Sequence, residues 1–258
     1  MFGTRQSDLN QFRLGSATAC LYEEAGATYL ITNWHVFSGL HAQDLVALDQ
    51  TTALLPSSIK VHFPQENAID NPIVQTYSLQ DSAGRHLWFE HPLKNKVDVA
   101  ALPIEPPSPV ATRSLNDSLR QPGLAPKEDF FYVTQEVWVI GFPKGIRVGG
   151  LPVWKRSTIA AEPGFSSSTD KHKVLLDTAT RDGMSGSPVL HVAGSPSPMT
   201  FDGSNQEVDF PPSKCLLGIY SGRIAGSDEL SAQLGIVWRA EAIPEIIAAR
   251  TRYAPSNA

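Results

Sequence analysis

The chain has little of what would place it in a narrow class at once. Of its 258 residues only Cys20 and Cys215 are cysteine, too few for the disulfide framework of a small secreted fold and without the paired Cys/His spacing of a structural metal site. They read as two buried, inert thiols; a single Cys20–Cys215 bridge is the alternative and would argue for an oxidising compartment. No apolar run approaches the roughly 18 or more residues of a membrane span, and the opening MFGTRQSDLNQFRLG lacks the basic start, apolar middle and small-residue cleavage site of a secretory signal. The expectation is therefore no membrane partner and a cytoplasmic protein, with secretion as the alternative. Charged residues make up only 18%, the net charge is −5, and Lys and Arg are scattered, so nucleic acid is not an expected partner. Internal repeats of roughly 20–50 residues are also lacking.

What the chain does have is punctuation, with 19 Gly and 20 Pro, between short apolar and β-branched runs. A first set comprises TACLY (18–22), TYLITNW (28–34), DLVALD (44–49), IKVHF (59–63) and VDVAALPI (97–104). A second comprises EVWVIGF (136–142), VWKRSTIA (153–160), KVLLDTA (173–179), PVLHV (188–192), CLLGIYSG (215–222) and LGIVWRA (234–240). Such spacing predicts an all-β sandwich or barrel. Residues 105–129, rich in Pro, Ser and charge, read as the linker between an N-terminal lobe (1–104) and a C-terminal lobe (130–258). A second polar stretch, 193–214, reads as a long surface loop. Near the end, AEAIPEIIAARTRY predicts an amphipathic helix, with Pro244 in its first turn and Ile243, Ile246 and Ile247 on one face.

Three stretches carry chemistry. YLITNWHVF reads as a strand ending in His35, and a histidine there lies near a surface; alone, it is more often structural. In KVDVAALPI, Asp98 interrupts an apolar run, and a carboxylate so placed must be hydrogen-bonded, because an unpaired buried charge is costly. Its plain reading is a turn cap; an imidazole N–H as partner would give it a function. In RDGMSGSPV, Gly183 and Gly186 flank Ser185 closely enough for a sharp turn whose N–H groups could form an oxyanion hole, although Gly-x-Ser-Gly often is only a turn.

The order His35, Asp98, Ser185, each at a predicted strand edge, changes the weight of all three. It resembles the chymotrypsin-like (trypsin-fold) serine peptidases, particularly bacterial members and the glutamyl endopeptidase branch. Thr32-Asn33-Trp34-His35-Val36 matches that family's histidine context, Asp98-Val99-Ala100 its aspartate strand, and Gly183-Met184-Ser185-Gly186-Ser187-Pro188 its nucleophile loop. The α/β-hydrolase order needs an acid and then a histidine after the serine, yet only His191 follows, on the next strand. Subtilisin order would need an aspartate well before His35, where only Asp8 stands. GFPKGIRVGG (141–150) lacks the Gly-Lys-Ser/Thr ending of a phosphate loop.

The resemblance implies two six-stranded antiparallel β-barrels with a C-terminal helix and a His35-Asp98-Ser185 triad acting on a protein or peptide substrate through an acyl-enzyme. It places the oxyanion hole at the N–H groups of Gly183 and Ser185 and implies no cofactor and no metal. Ala179, Thr180, Tyr220, Ser221, Gly222 and Arg223 would border the substrate's primary side-chain pocket. Ala179 offers no carboxylate for Lys or Arg; Thr180 matches a threonine of glutamyl endopeptidases, while Tyr220 replaces their pocket histidine. The expectation is a small, polar or acidic residue at the cleavage site. Met184 departs from the Asp or Asn usual before the serine, which argues against activation by a newly cut N-terminal amine. Two questions stay open: whether the loop is competent as made or ordered by a regulatory protein partner, and whether the chain is instead a catalytically silent peptide-binding module.

Overall fold

The computed structural model describes residues 2–7, 10–112, 114–116, 131–163, 172–192, 214–223 and 233–254, without the side chains of residues before Leu14 or of Arg223. The first half runs β1 (Phe2–Ser7), β2 (Asn10–Ser16), β3 (Cys20–Glu24), β4 (Ala27–Thr32), α1 (Trp34–Ser38), β5 (Ser58–Gln65), β6 (Ala68–Ser78), β7 (Phe89–Glu90) and β8 (Ala100–Ile104). The second runs β9 (Glu136–Gly141), β10 (Val153–Ile159), β11 (Lys173–Asp177), β12 (Pro188–Val192), β13 (Lys214–Arg223), β14 (Leu234–Arg239), α2 (Ala242–Ala249) and β15 (Thr251–Arg252). Residues 117–129 of the expected linker and 193–213 of the expected loop lie outside the described residues.

The second half closes into the expected six-stranded barrel, in the order β10-β11-β14-β13-β12-β9. The first half differs from the closed six-stranded barrel expected of it. It forms a four-stranded sheet, β2-β1-β5-β6, and a five-stranded sheet, β15-β7-β8-β4-β3. The chain passes from one sheet to the other at residues 17–19, where Thr18 gives its backbone N–H to Ser185 and its carbonyl to the Thr32 hydroxyl instead of to a strand ladder. The C-terminal helix is present but short, eight residues. β15 follows it back to the first half and pairs with β7.

DLVALD does not form a strand. It folds as a turn with one bridge, Leu40 to Ala47, because Asp44 and Asp49 side chains accept the N–H groups of Val46, Thr51 and Thr52 and satisfy the backbone locally. Conversely β6 carries Asp70, Asn71 and Pro72, turn residues by composition, yet pairs with β5 along most of its length.

Burial explains why β4 is apolar on both faces. Leu30 packs with Trp34, Phe37, Ile59, Phe63 and Trp88 on one side. Tyr29 and Ile31 face Val97, Val99, Ala101 and the α2 residues Ile243, Ile246 and Ile247 on the other. Each such aliphatic side chain stabilises the fold by about 1.5–3 kcal/mol when fully buried, so α2 is held by its isoleucines despite its length. Both cysteines are free, and burial pushes the Cys20 thiol up to about 12 and raises that of Cys215, as inert thiols require. Among the described residues no helix is long and apolar enough to cross a membrane.

α1 is fixed by a polar contact as well. The Trp34 indole N–H donates to Glu90 Oε2 at 2.9 Å, and burial raises the Glu90 carboxyl above its ordinary value despite that bond and the nearby Lys94. A carboxyl raised on folding favours the folded state while protonated, so its contribution is complete below the ordinary glutamate range and is lost as pH rises through the raised value. Glu90→Gln keeps an acceptor for Trp34 and removes the buried charge. Thermal denaturation across pH 4–8 should show the variant gaining on the parent as pH rises through that window; parallel pH profiles would overturn the assignment.

Candidate active site

Asp98 sits just before β8, between the fully buried Val97 and Val99, and is 3% exposed. A carboxylate there needs donors, and it has three. The His35 backbone N–H donates to Oδ1 at 2.8 Å, His35 Nδ1 to Oδ2 at 2.7 Å, and the Ser221 hydroxyl also to Oδ2. The Asn33 amide reaches the Asp98 carbonyl at 2.7 Å, tying the two segments together on the far side of the carboxylate. Because Asp98 accepts at Nδ1, that nitrogen carries the proton and Nε2 keeps its lone pair. His35 stands not at the end of a strand but in α1, two residues beyond Asn33; the backbone turn is what lets one residue offer both its N–H and its ring to the same carboxylate.

Ser185 lies in a loop whose backbone requires glycine at both flanks. Gly183 has φ +90° and Gly186 φ +82°, and a Cβ on Gly186 would stand 2.1 Å from the Thr18 carbonyl oxygen and 2.2 Å from Thr32 Oγ1. The Asp182 carbonyl accepts from the Lys144 N–H at 2.6 Å. The Gly183 carbonyl accepts from the Thr18 hydroxyl at 2.8 Å, and the Ser185 carbonyl from the Thr18 N–H at 2.8 Å. The Gly186 N–H donates to the Tyr220 carbonyl at 2.8 Å. Among the described residues the N–H groups of Gly183 and Ser185 donate to no protein acceptor, leaving both available to an oxyanion. Met184 points into the barrel core with Val137, Val139, Leu176 and Val237 and is fully buried. The loop is therefore anchored by apolar burial at the position where an ion pair would otherwise hold it.

The Ser185 hydroxyl donates to the Ser221 carbonyl at 3.2 Å, and Ser185 and His35 line one cavity of about 190 Å³. Most of its other walls are apolar, Leu14, Ala17, Val36, Leu48, Leu54 and Pro56 among them, with Ser16 and Asp49 also on its lining. The residues expected around the primary side-chain pocket do not line this cavity. Thr180 and Tyr220 are buried, and their hydroxyls are hydrogen-bonded to one another. Ser221 is engaged with Asp98 and Ser185, as described. Ala179 and Gly222 are half-buried. Arg223 pairs with Gly235 through its backbone, and its side chain lies outside the described residues.

Sequence reasoning missed Thr18, Asn33 and the carboxylate contact of Ser221, since small polar residues next to strands give no signal until the chain is folded. It also missed a cluster in which His91, His172 and Glu245 bring ligand atoms within 4.8 Å of one another. This cluster has the wrong proton for a metal. His91 Nδ1 accepts from the Leu93 N–H at 3.1 Å, so its Nε2 carries the hydrogen and donates to Glu245 Oε2 at 2.6 Å. A metal-bound imidazole instead donates from its second nitrogen. The cluster acts as a polar clip between the strand end at β7 and α2.

Met184→Asp tests the apolar anchor. With hydrophobic side chains as its described core neighbours, the new carboxylate should destabilise the fold by about 3–5 kcal/mol, whereas Met184→Leu should cost less than about 1.5 kcal/mol. Chemical denaturation of the three proteins measures the difference, and equal stabilities would refute the anchoring role.

Residues 17–196 match the family model described as Trypsin-like peptidase domain. No curated protein matches the chain in sequence. Among solved structures, a variant form of the HtrA-type protease AlgW, solved with a tripeptide, superposes with a TM-score of 0.50 at 15% identity, covering 96% of this chain and 57% of that one. A second structure, HtrA-type protease AlgW with tripeptide, gives a TM-score of 0.47 at 15% identity, covering 96% and 58%. The chain thus spans less than two thirds of the length of these neighbours. With the family model covering most of the chain, including all three of His35, Asp98 and Ser185, the protein belongs to the trypsin-like peptidase domain family.

Proposed function

We propose that the chain is a serine endopeptidase working through Ser185, His35 and Asp98. The observation that carries this reading is the double grip of Asp98 on His35, through the backbone N–H and Nδ1, beside a serine that shares its cavity. Ser185 Oγ, rotated off the Ser221 carbonyl, bonds to the carbonyl carbon of the substrate while its proton passes to His35 Nε2. The resulting oxyanion takes hydrogen bonds from the Gly183 and Ser185 N–H groups, each worth about 10²–10³ in turnover. When the C–N bond breaks, His35 returns that proton to the leaving amine; water then repeats the sequence on the ester. Asp98 holds the tautomer throughout and stabilises the imidazolium.

The hydrogen bonds from Thr18 and Lys144 and the burial of Met184 favour a loop competent as made, without an activating cut. A regulatory protein partner would then act by limiting access. The two unbridged, unreactive cysteines fit a reducing compartment such as the cytoplasm. Membership of the glutamyl endopeptidase branch has weaker support, because the Thr180 hydroxyl is already taken by Tyr220.

A fluorophosphonate probe should label the protein, and Ser185→Ala should abolish labelling. Asp98→Asn should lower turnover by about 10⁴-fold while leaving circular dichroism unchanged. An unlabelled, folded parent protein would favour the silent binding module instead. Thr18→Val removes the hydroxyl that holds the Gly183 carbonyl and accepts from Phe142 N–H. In steady-state kinetics it should lower kcat toward the roughly 10²–10³-fold loss of one oxyanion donor, with KM little changed; a change in KM alone would contradict the positioning role.

A further inference from the structure

Two segments converge on Ser185: residues 179–183, which lead into its loop, and β13 at Tyr220–Gly222, which holds the Ser185 hydroxyl through the Ser221 carbonyl. The space between them is where a side chain next to the attacked carbonyl would descend. It is already filled. The Tyr220 ring is 1% exposed and packs in the barrel core. Its hydroxyl bonds the Thr180 hydroxyl across the gap. Its ring edge also lies against β14, where a Cβ on Gly235 would come within 2.4 Å of Tyr220 Cε2 and 2.7 Å of Thr178 Cγ2. Gly235 thus makes room for the tyrosine rather than for a ligand. The two hydroxyls are engaged with each other. The open volume beside Ser185 lies on the His35 side, and none of Ala179, Thr180, Tyr220 or Gly222 lines it.

Building on the peptidase reading above, we propose that Tyr220, pinned by Thr180 and seated against Gly235, closes the primary side-chain pocket and restricts cleavage to bonds that follow small, uncharged residues. Alanine, serine and glycine fit over the tyrosine ring. Aromatic, long aliphatic, acidic and basic side chains do not.

A peptide series varied only at that position, read as kcat/KM, tests this on the protein as it stands. The expected result is a preference of at least about 100-fold for Ala over Phe, Leu, Glu and Lys, in the upper part of the roughly 10–200-fold range by which a pocket discriminates small differences in side-chain size. Tyr220→Phe keeps the volume and should keep the preference; Tyr220→Val opens the space and should shrink the Ala-over-Leu ratio at least about tenfold. Both variants are first counted by fluorophosphonate titration, which does not depend on the pocket, and checked by circular dichroism. A labelled parent protein that cleaves after Phe, Leu, Glu or Lys as fast as after Ala overturns the proposal, even if Tyr220→Val fails to fold. So does a folded, labelled Tyr220→Val with an unchanged ratio. A folded parent protein that takes no label overturns the peptidase reading itself, a distinguishable outcome.

Discussion

The structure turns on one residue at the crossing between its halves. Thr18, where the chain leaves β2 for β3, makes four hydrogen bonds: N–H to the Ser185 carbonyl, hydroxyl to the Gly183 carbonyl, hydroxyl from the Phe142 N–H, and carbonyl from the Thr32 hydroxyl. It is 2% exposed, so each bond is made away from competing water, where a polar group left unpaired is costly. The first half supplies His35 and Asp98, and the second supplies Ser185. The relative placement of His35, Asp98 and Ser185 thus depends on a buried hydrogen-bond junction, and the first half forgoes a closed ladder at that point to make it.

How the nucleophile loop keeps its shape follows from the same economy of charge. The position before Ser185 carries no carboxylate, and the loop is fixed by a buried thioether, two glycines and carbonyls that each find a donor. Burial of Met184 holds the loop from the core side with no charge at that position. Ser221 extends the pattern, giving its hydroxyl to Asp98 and its carbonyl to Ser185, so that β13 touches both ends of the proposed relay.

Much of this was legible in the sequence, and the reasons are local. Several barrel strands of the second half announce themselves because they alternate about a buried core, as Val137 and Val139 do in β9 or Val174 and Leu176 in β11. His35, Asp98 and Ser185 were visible through chain order and the residues around them. What stayed hidden depends on distant partners. β7 and β15 are two residues each, and β15 pairs with β7 alone; β6 looks like a loop until β5 satisfies its backbone; DLVALD looks like a strand until its own aspartates satisfy it first. Thr18 and the His91-Glu245 contact join residues far apart in the chain, and no single-sequence pattern marks them. Tyr220 was placed at the pocket by resemblance, but that it fills the pocket is a matter of ring position.

The return of the chain through α2 and β15 sets an order on assembly. β7 lies between β8 and β15, and the apolar face built by Phe89, Val97, Val99 and Ala101 is covered by Ile243, Ile246 and Ile247. Until residues 242–252 have been synthesised, that face is open to water and β7 presents an unpaired edge to any neighbouring chain. The strand that carries Asp98 toward His35 belongs to this same sheet. Placement of Asp98 beside His35 is therefore coupled to the docking of α2 and β15 on that sheet.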